Sequence, residues 1–240
     1  MGPTSVPQGS RVTFMSASVD SSIIHHPSPN YGPRRNDLRP ELIVLHYTAM
    51  DTAEAALERL CDPKFEVSAH YLISESGTVW QMVAEDMRAW HAGAGEWCGQ
   101  EDINSRSIGI ELANTGDQPF SEQQMTALEG LMQGIMARWD ISPAGVIGHS
   151  DMAPGRKFDP GPKFDWLRLE RLGLAAPRSE NDGPQHPSKE QFRLLAQSAG
   201  YTCDADDDTL LSTVRLRYRP HAKGPMTPED FVALRKLEAT

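Results

Sequence analysis

Eight histidines in a 240-residue chain with 33 acidic and 23 basic side chains are the first feature with chemical promise, because imidazole and carboxylate together suit a divalent metal. The sequence has no HExxH run, no GxSxG elbow and no phosphate loop, so a metal site has to be assembled from distant positions. His46 and His149 each follow directly on an apolar run, Leu42-Ile43-Val44-Leu45 and Val146-Ile147-Gly148, and strand ends in an α/β sheet can offer both to one rim. Ten residues past His149, Asp159 sits in the Pro- and Gly-bounded stretch Arg156-Lys157-Phe158-Asp159-Pro160-Gly161, which can fold back toward the histidine. Two histidines and one carboxylate leave a fourth tetrahedral position for water, the composition of a catalytic zinc site with ligand distances of ~2.0 to 2.2 Å.

Glu111 is the second unusual residue. It lies inside Ser107-Ile108-Gly109-Ile110-Glu111-Leu112, which reads as a central strand, where an unpaired carboxylate is unfavourable. Two readings stand: the side chain points outward or pairs with an arginine such as Arg106, or it is a general base acting on water at the metal. Lys157 is either a solvated loop lysine or the group that stabilises an oxyanion on a carbonyl under attack.

The elements that must position these residues alternate between strand and helix signals. Asp51-Thr52-Ala53-Glu54 offers a capping box with Asp51 as cap, before a helix with Ala53, Leu57, Leu60 and Cys61 on one face. Residues 69–73 and 78–83 flank the hairpin turn Glu75-Ser76-Gly77. Ser121 caps a helix whose apolar face is Met125, Leu128, Met132, Ile135 and Met136. Residues 175–187, rich in Pro, Gly and polar side chains, read as a linker. Beyond it, residues 188–240 read as three short helices: one capped by Ser188 and closed by Gly200, one after Asp206, and one opening at Thr227-Pro228 with Phe231, Leu234 and Leu237 as its apolar face. The expected architecture is an α/β catalytic domain over residues 1–174, with a central mixed β-sheet flanked by helices and an N-terminal extension over residues 1–24, plus a small C-terminal three-helix domain.

Charge and composition exclude some partners. The net charge is −10, and the 8 basic and 8 acidic residues of 185–240 cancel, so the whole excess lies in residues 1–184. That balance disfavours nucleic acid and anionic membranes, which need clustered Lys and Arg. No apolar stretch approaches the ~20 residues of a membrane span. Met1 to Asp20 lacks the basic start and apolar middle of a signal peptide. Cys61, Cys98 and Cys203 form no CxxC pair and suit free thiols in a reducing compartment. Together these point to the cytoplasm; an export signal lost from the sequence would move the expectation to the periplasm.

Five blocks occur in one order: Val44-Leu45-His46-Tyr47-Thr48-Ala49, the run from Val67 to Ile73, Trp90-His91-Ala92-Gly93, the run from Asn104 to Glu111, and Gly148-His149-Ser150-Asp151 leading to Lys157-Phe158-Asp159-Pro160-Gly161. This order resembles the zinc-dependent N-acetylmuramoyl-L-alanine amidases of the AmpD-like branch, whose fold is shared with phage lysozyme-type amidases and peptidoglycan-recognition proteins. The resemblance covers roughly His25 to Gly173. It implies His46, His149 and Asp159 as ligands of one zinc ion per chain, Glu111 as the catalytic carboxylate and Lys157 as the oxyanion partner. It further implies that Trp90 and His91 line the groove near the metal with Tyr47 as a substrate contact, that Asn104 and Arg106 lie in a loop beside the muropeptide, and that His70 supports the site from a strand. Ala69 stands where phage-type relatives carry a catalytic Tyr, and Asp159 where they carry Cys, which points to the bacterial branch.

The reaction so implied is hydrolysis of the amide between N-acetylmuramic acid, or its 1,6-anhydro form, and L-alanine of the stem peptide. Peptidoglycan fragments would be the partners, and the expected state is a monomer. The alternative is a non-catalytic peptidoglycan-recognition module, although such binders typically lose a zinc ligand and here every ligand position is filled. The tail resembles a shortened peptidoglycan-binding domain, with a helical cap on the catalytic domain as the other reading.

Overall fold

The computed structural model describes residues 23–179, 183–232 and 234. Most of the expected N-terminal extension, Glu180 to Asp182 of the linker, and Leu237 lie outside the described residues.

Eight strands occur among the described residues: β1 (Ile24–His25), β2 (Tyr31–Pro33), β3 (Leu42–Tyr47), β4 (Tyr71–Ile73), β5 (Val79–Gln81), β6 (Met87–Ala89), β7 (Ser107–Leu112) and β8 (Val146–Gly148). Six form one sheet in the order β1-β5-β4-β7-β3-β8, and β2 pairs with β6 in a separate ribbon. The β4–β5 hairpin is antiparallel and the other pairs of the large sheet are parallel, so the sheet is mixed as expected. The helices are α1 (Ala53–Cys61), α2 (Ile103–Arg106), α3 (Glu122–Trp139), α4 (His149–Met152), α5 (Trp166–Arg171), α6 (Lys189–Ser198), α7 (Asp207–Tyr218) and α8 (Glu229–Val232).

Alternation along the central strands decides what each face meets. Ile43 and Leu45 of β3, Ile108, Ile110 and Leu112 of β7 and Val146 of β8 join the apolar side of α3 in one buried cluster with Phe164, Trp166 and Leu169. The other face is covered in two separate halves. Helix α1 packs Ala56, Leu57 and Leu60 on Leu72 and Met82, while the tail helices pack Phe192, Leu210, Val214 and Phe231 into the same cluster as Leu42, Val44 and Ile147. Between these two covers lie the next residues of the alternation, His46 on β3 and Glu111 on β7, which are register partners.

The local signals mostly fall where the sequence places them. Ser121 caps α3 and Ser188 caps α6 by accepting the amide hydrogens of Gln124 and Gln191. One correction concerns α1: Thr52, and not Asp51, is its cap and accepts from the Ala55 amide. Thr52 is the last extended residue before the helix (φ −139°, ψ 152°), so its hydroxyl is the one that reaches the first-turn N–H groups. The linker begins as packed chain, with Ala175 buried next to Leu174 and Arg178 bonded to Glu170 and to the Tyr218 carbonyl. No described helix is long and apolar enough to cross a membrane.

Candidate metal centre and active site

His46 is the penultimate residue of β3 and His149 is the first residue of α4, directly after β8. The chain returns after α4 so that Ser150 N–H donates to the Asp159 carbonyl at 2.9 Å, which brings the Asp159 side chain to both histidines. The Nδ1 atoms of His46 and His149 stand 2.9 Å apart, and Oδ2 of Asp159 lies 2.9 Å from the first and 3.0 Å from the second. All three side chains are buried.

Their partners fix the proton positions. His149 Nε2 faces the Ala92 carbonyl at 2.9 Å, and a carbonyl only accepts, so this nitrogen carries the hydrogen. On the other side, the Ser107 hydroxyl donates to the Ile103 carbonyl at 2.6 Å and therefore accepts from His91 Nε2 at 3.3 Å. That leaves His91 Nδ1 as an acceptor, filled by His46 Nε2–H at 3.0 Å. Burial, then the neighbouring His149, pushes the His46 pKa down to about 4, so the ring is neutral near pH 7. Both Nδ1 lone pairs consequently aim at the Asp159 carboxylate. Three acceptors meeting at one point repel unless a cation lies among them, and a donor set of two imidazoles and one carboxylate suits a divalent metal. The residues present therefore fit a metal ion.

Glu111 lines the same cavity of about 390 Å3. Its Oε2 is shut off from solvent without a hydrogen-bond partner among the described residues, whereas Arg106, the arginine considered for it, is bonded to Glu41 at 2.7 Å. Burial, then the nearby Asp159 charge, pushes the Glu111 pKa up to about 8, while Lys157 pulls the other way. Lys157, Tyr47, Trp90 and His91 also line this cavity.

A family profile described as N-acetylmuramoyl-L-alanine amidase matches residues 36–162. The chain belongs to the N-acetylmuramoyl-L-alanine amidase family. The N-acetylmuramoyl-L-alanine amidase AmiD of Escherichia coli K12 is 37% identical over 209 residues, which cover 80% of this chain and 71% of that protein. The 1,6-anhydro-N-acetylmuramyl-L-alanine amidase AmpD of Enterobacter cloacae is 36% identical over 165 residues, 62% of this chain and 88% of that protein. Among solved structures, AmiD from E. coli in complex with anhydro-N-acetylmuramic acid-L-Ala-D-gamma-Glu-L-Lys matches with a TM-score of 0.73 at 30% identity, covering 83% of this chain and 89% of that one. AmpDh3 from Pseudomonas aeruginosa, in complex with anhydromuramic pentapeptide, matches with a TM-score of 0.70 at 29% identity, covering 87% and 94%.

Within this amidase fold, Asn104 and Arg106 are not among the residues that line the cavity. Asn104 Oδ1 accepts the amide hydrogens of His91 and Ala92 at 3.0 and 2.9 Å, so it fixes the loop whose Ala92 carbonyl orients His149. Arg106 lies in the last turn of α2 and is held by Glu41 and the Glu101 carbonyl. His70 supports the site from its strand edge, accepting from Gly109 N–H at 3.0 Å while Nε2 faces the Met87 carbonyl at 3.1 Å. Burial, then Arg34, pushes its pKa down to about 3, which keeps it a neutral scaffold ring.

Three supporting residues escape a reading of the sequence. Ser107 completes the chain of donors behind His46, and Gly109 makes room for His91, whose Cγ lies 2.4 Å from where a Cβ at residue 109 would stand. Arg156 lines the cavity rim and donates to the Ala92 and Ala94 carbonyls. A glycine inside a strand is the one signal that marks such a close approach.

Proposed function

We propose that this amidase hydrolyses the amide between the lactyl group of N-acetylmuramic acid, in its 1,6-anhydro form, and L-alanine of the stem peptide, using zinc held by His46, His149 and Asp159. The observation that carries this reading is the meeting of two locked imidazole lone pairs with a carboxylate, beside a buried Glu111 oxygen that no described residue satisfies, in one cavity. The names of the relatives support the substrate: AmpD is a 1,6-anhydro-N-acetylmuramyl-L-alanine amidase, and AmiD and AmpDh3 were solved with anhydromuramic peptides.

A zinc ion held by His46, His149 and Asp159 would supply Lewis acidity toward the scissile carbonyl and toward water near neutral pH. Burial raises the Glu111 pKa in the metal-free site and a bound cation would draw it back down, so Glu111 can take the proton of the attacking water and then return it to the leaving amine of L-alanine. Lys157 faces the negative charge that develops on the former carbonyl oxygen. Tyr47, Trp90 and His91, with the exposed Phe158, form the walls against which the muropeptide lies.

The test joins metal analysis to product analysis. Protein purified without chelator carries about one zinc per chain and releases free stem peptide from soluble anhydro-muropeptide, detected by mass spectrometry, with intact sacculi assayed alongside. Glu111→Ala that keeps its zinc and still cleaves at the wild-type rate would remove the assigned base, and protein that binds no zinc would remove the site.

A further inference from the structure

Asp151 is completely buried two residues beyond His149, and its bonds cross between the amidase sheet and the helical tail. Its Oδ2 accepts the Gly148 amide hydrogen at 2.8 Å and an Arg217 Nη1–H at 2.9 Å, while Oδ1 accepts the Tyr201 hydroxyl at 2.8 Å. Asp151, the third residue of α4, reaches back to accept the N–H of Gly148, the cap residue just before His149. Arg217 and Tyr201 both belong to the tail. Arg217 also donates to the Val146 carbonyl of β8 at 3.2 Å and lies over the Trp166 ring at 4.1 Å. Tyr201 stands edge-on to Trp97, and Gly200 before it, at φ +105°, leaves no room for a Cβ, which would lie 2.4 Å from that indole. Cys98 N–H donates to the Gly200 carbonyl at 2.9 Å, which ties the tail to the loop whose Glu96 N–H donates to the Met152 carbonyl of α4 at 2.9 Å.

A carboxylate this deeply buried needs its charge balanced. The amidase sheet supplies a single amide hydrogen to it; the guanidinium and the phenol come from the tail. Without them Asp151 relieves its charge by turning toward water, and the Gly148–His149 turn loses its cap. His149 has little slack for that, because Nε2 is tied to Ala92 and Nδ1 stands in a triangle with sides of 2.9 to 3.0 Å.

We propose that the helical tail is a positioning element of the metal centre: Arg217 and Tyr201 clamp Asp151 and thereby fix the turn that presents His149. This rests on the zinc site described above and assigns the tail a task at that site, whatever else the tail binds.

The experiment uses the full chain with Tyr201→Phe, Arg217→Met and Arg217→Lys, and with Arg219→Met as control, since Arg219 bonds to Asp230 and Thr227 inside the tail. After circular dichroism shows each to be folded, zinc release to a chromophoric chelator and KM against kcat of the loaded enzyme are measured. Arg217→Met is expected to weaken zinc retention about tenfold, in line with other partners that orient ligands, and Tyr201→Phe about fivefold for one lost buried hydrogen bond. Arg217→Lys recovers part of the loss, Arg219→Met behaves as wild type, and KM is unchanged throughout. Wild-type retention in both Tyr201→Phe and Arg217→Met overturns the clamp, as does an Arg219→Met protein that releases zinc as fast as Arg217→Met, because the tail would then act only through its own stability. Failure of the zinc reading itself shows separately, as wild-type protein that takes up no zinc; the clamp is then read from the His149 ring resonances of the metal-free protein, sharp in wild type and broadened in Arg217→Met, with equal line widths overturning it.

Discussion

Gly109→Ala isolates the layer of structure behind the metal ligands. The added Cβ would stand 2.4, 2.5 and 2.6 Å from Cγ, Cδ2 and Nδ1 of His91, whereas carbon atoms rest at about 3.5 Å or more. The ring must therefore recede by about 1 Å, estimated from that contact distance. Such a shift breaks both of its bonds, the 3.0 Å contact with His46 Nε2 and the 3.3 Å contact with Ser107. Overpacking of this kind destabilises by about 1–3 kcal/mol, and leaving the His46 Nε2–H without its acceptor adds about 1–3 kcal/mol. A combined loss of about 3 kcal/mol lowers Tm by roughly 6–12 °C in a protein of this size. His46 is then free to rotate or change tautomer, so zinc affinity falls by about 10- to 100-fold. Calorimetry of the metal-free protein and competition with a fluorescent zinc chelator measure the two effects. Gly32→Ala, where a Cβ meets nothing within 4 Å, is the control and is expected within about 0.5 kcal/mol of wild type. A Gly109→Ala protein with a Tm within about 2 °C of wild type and unchanged zinc affinity would refute the chain of bonds from Ser107 through His91 to His46.

Glu111→Gln should reduce kcat by about 10²- to 10⁴-fold with zinc content unchanged, the loss expected for a general base. In metal-free protein the same substitution has a pH signature. The folded-state pKa of Glu111 is raised to about 8 from an ordinary 4.5, so its contribution is fully present below pH 4.5 and lost as pH rises to about 8; Glu111→Gln should therefore gain on wild type across that window, and parallel stability curves would contradict the burial argument. Lys157→Ala should lower kcat by about 10²- to 10³-fold, as for other oxyanion partners, while zinc is retained; a change confined to KM would make Lys157 a ground-state contact instead. Asn104→Ala leaves two N–H groups unpaired behind His149 and is expected to destabilise by about 1–3 kcal/mol and weaken zinc binding. Arg106→Ala removes an ion pair with half-exposed Glu41 and should change stability by less than about 1 kcal/mol, with KM unaltered; a raised KM would show that Arg106 does meet the muropeptide.

The contrast between Asn104 and Arg106 on one side and His46 and His149 on the other explains what the sequence could convey. A histidine directly after a buried apolar run has few places to go: β3 and β8 are neighbours in the sheet, so residues at their ends necessarily meet. Strand β7 is readable in full from Ser107 to Leu112 for the same reason, whereas the register that sets Glu111 opposite His46 belongs to the folded sheet. Asn104 and Arg106 sit in the short helix α2, where one turn points successive side chains in different directions and spacing alone does not reveal which one faces the cavity. The tail is the deeper case. Phe192, Leu210, Val214 and Phe231 have the periodicity of amphipathic helices, but an apolar stripe specifies that a surface is buried and not what covers it. In the structure that surface is shared with Leu42, Val44 and Ile147, and the contact is fixed by Asp151, a residue that in sequence is one more acid in a chain with an excess of them. Its importance comes from burial and from a guanidinium 66 positions away, and both are properties of the fold rather than of any local pattern.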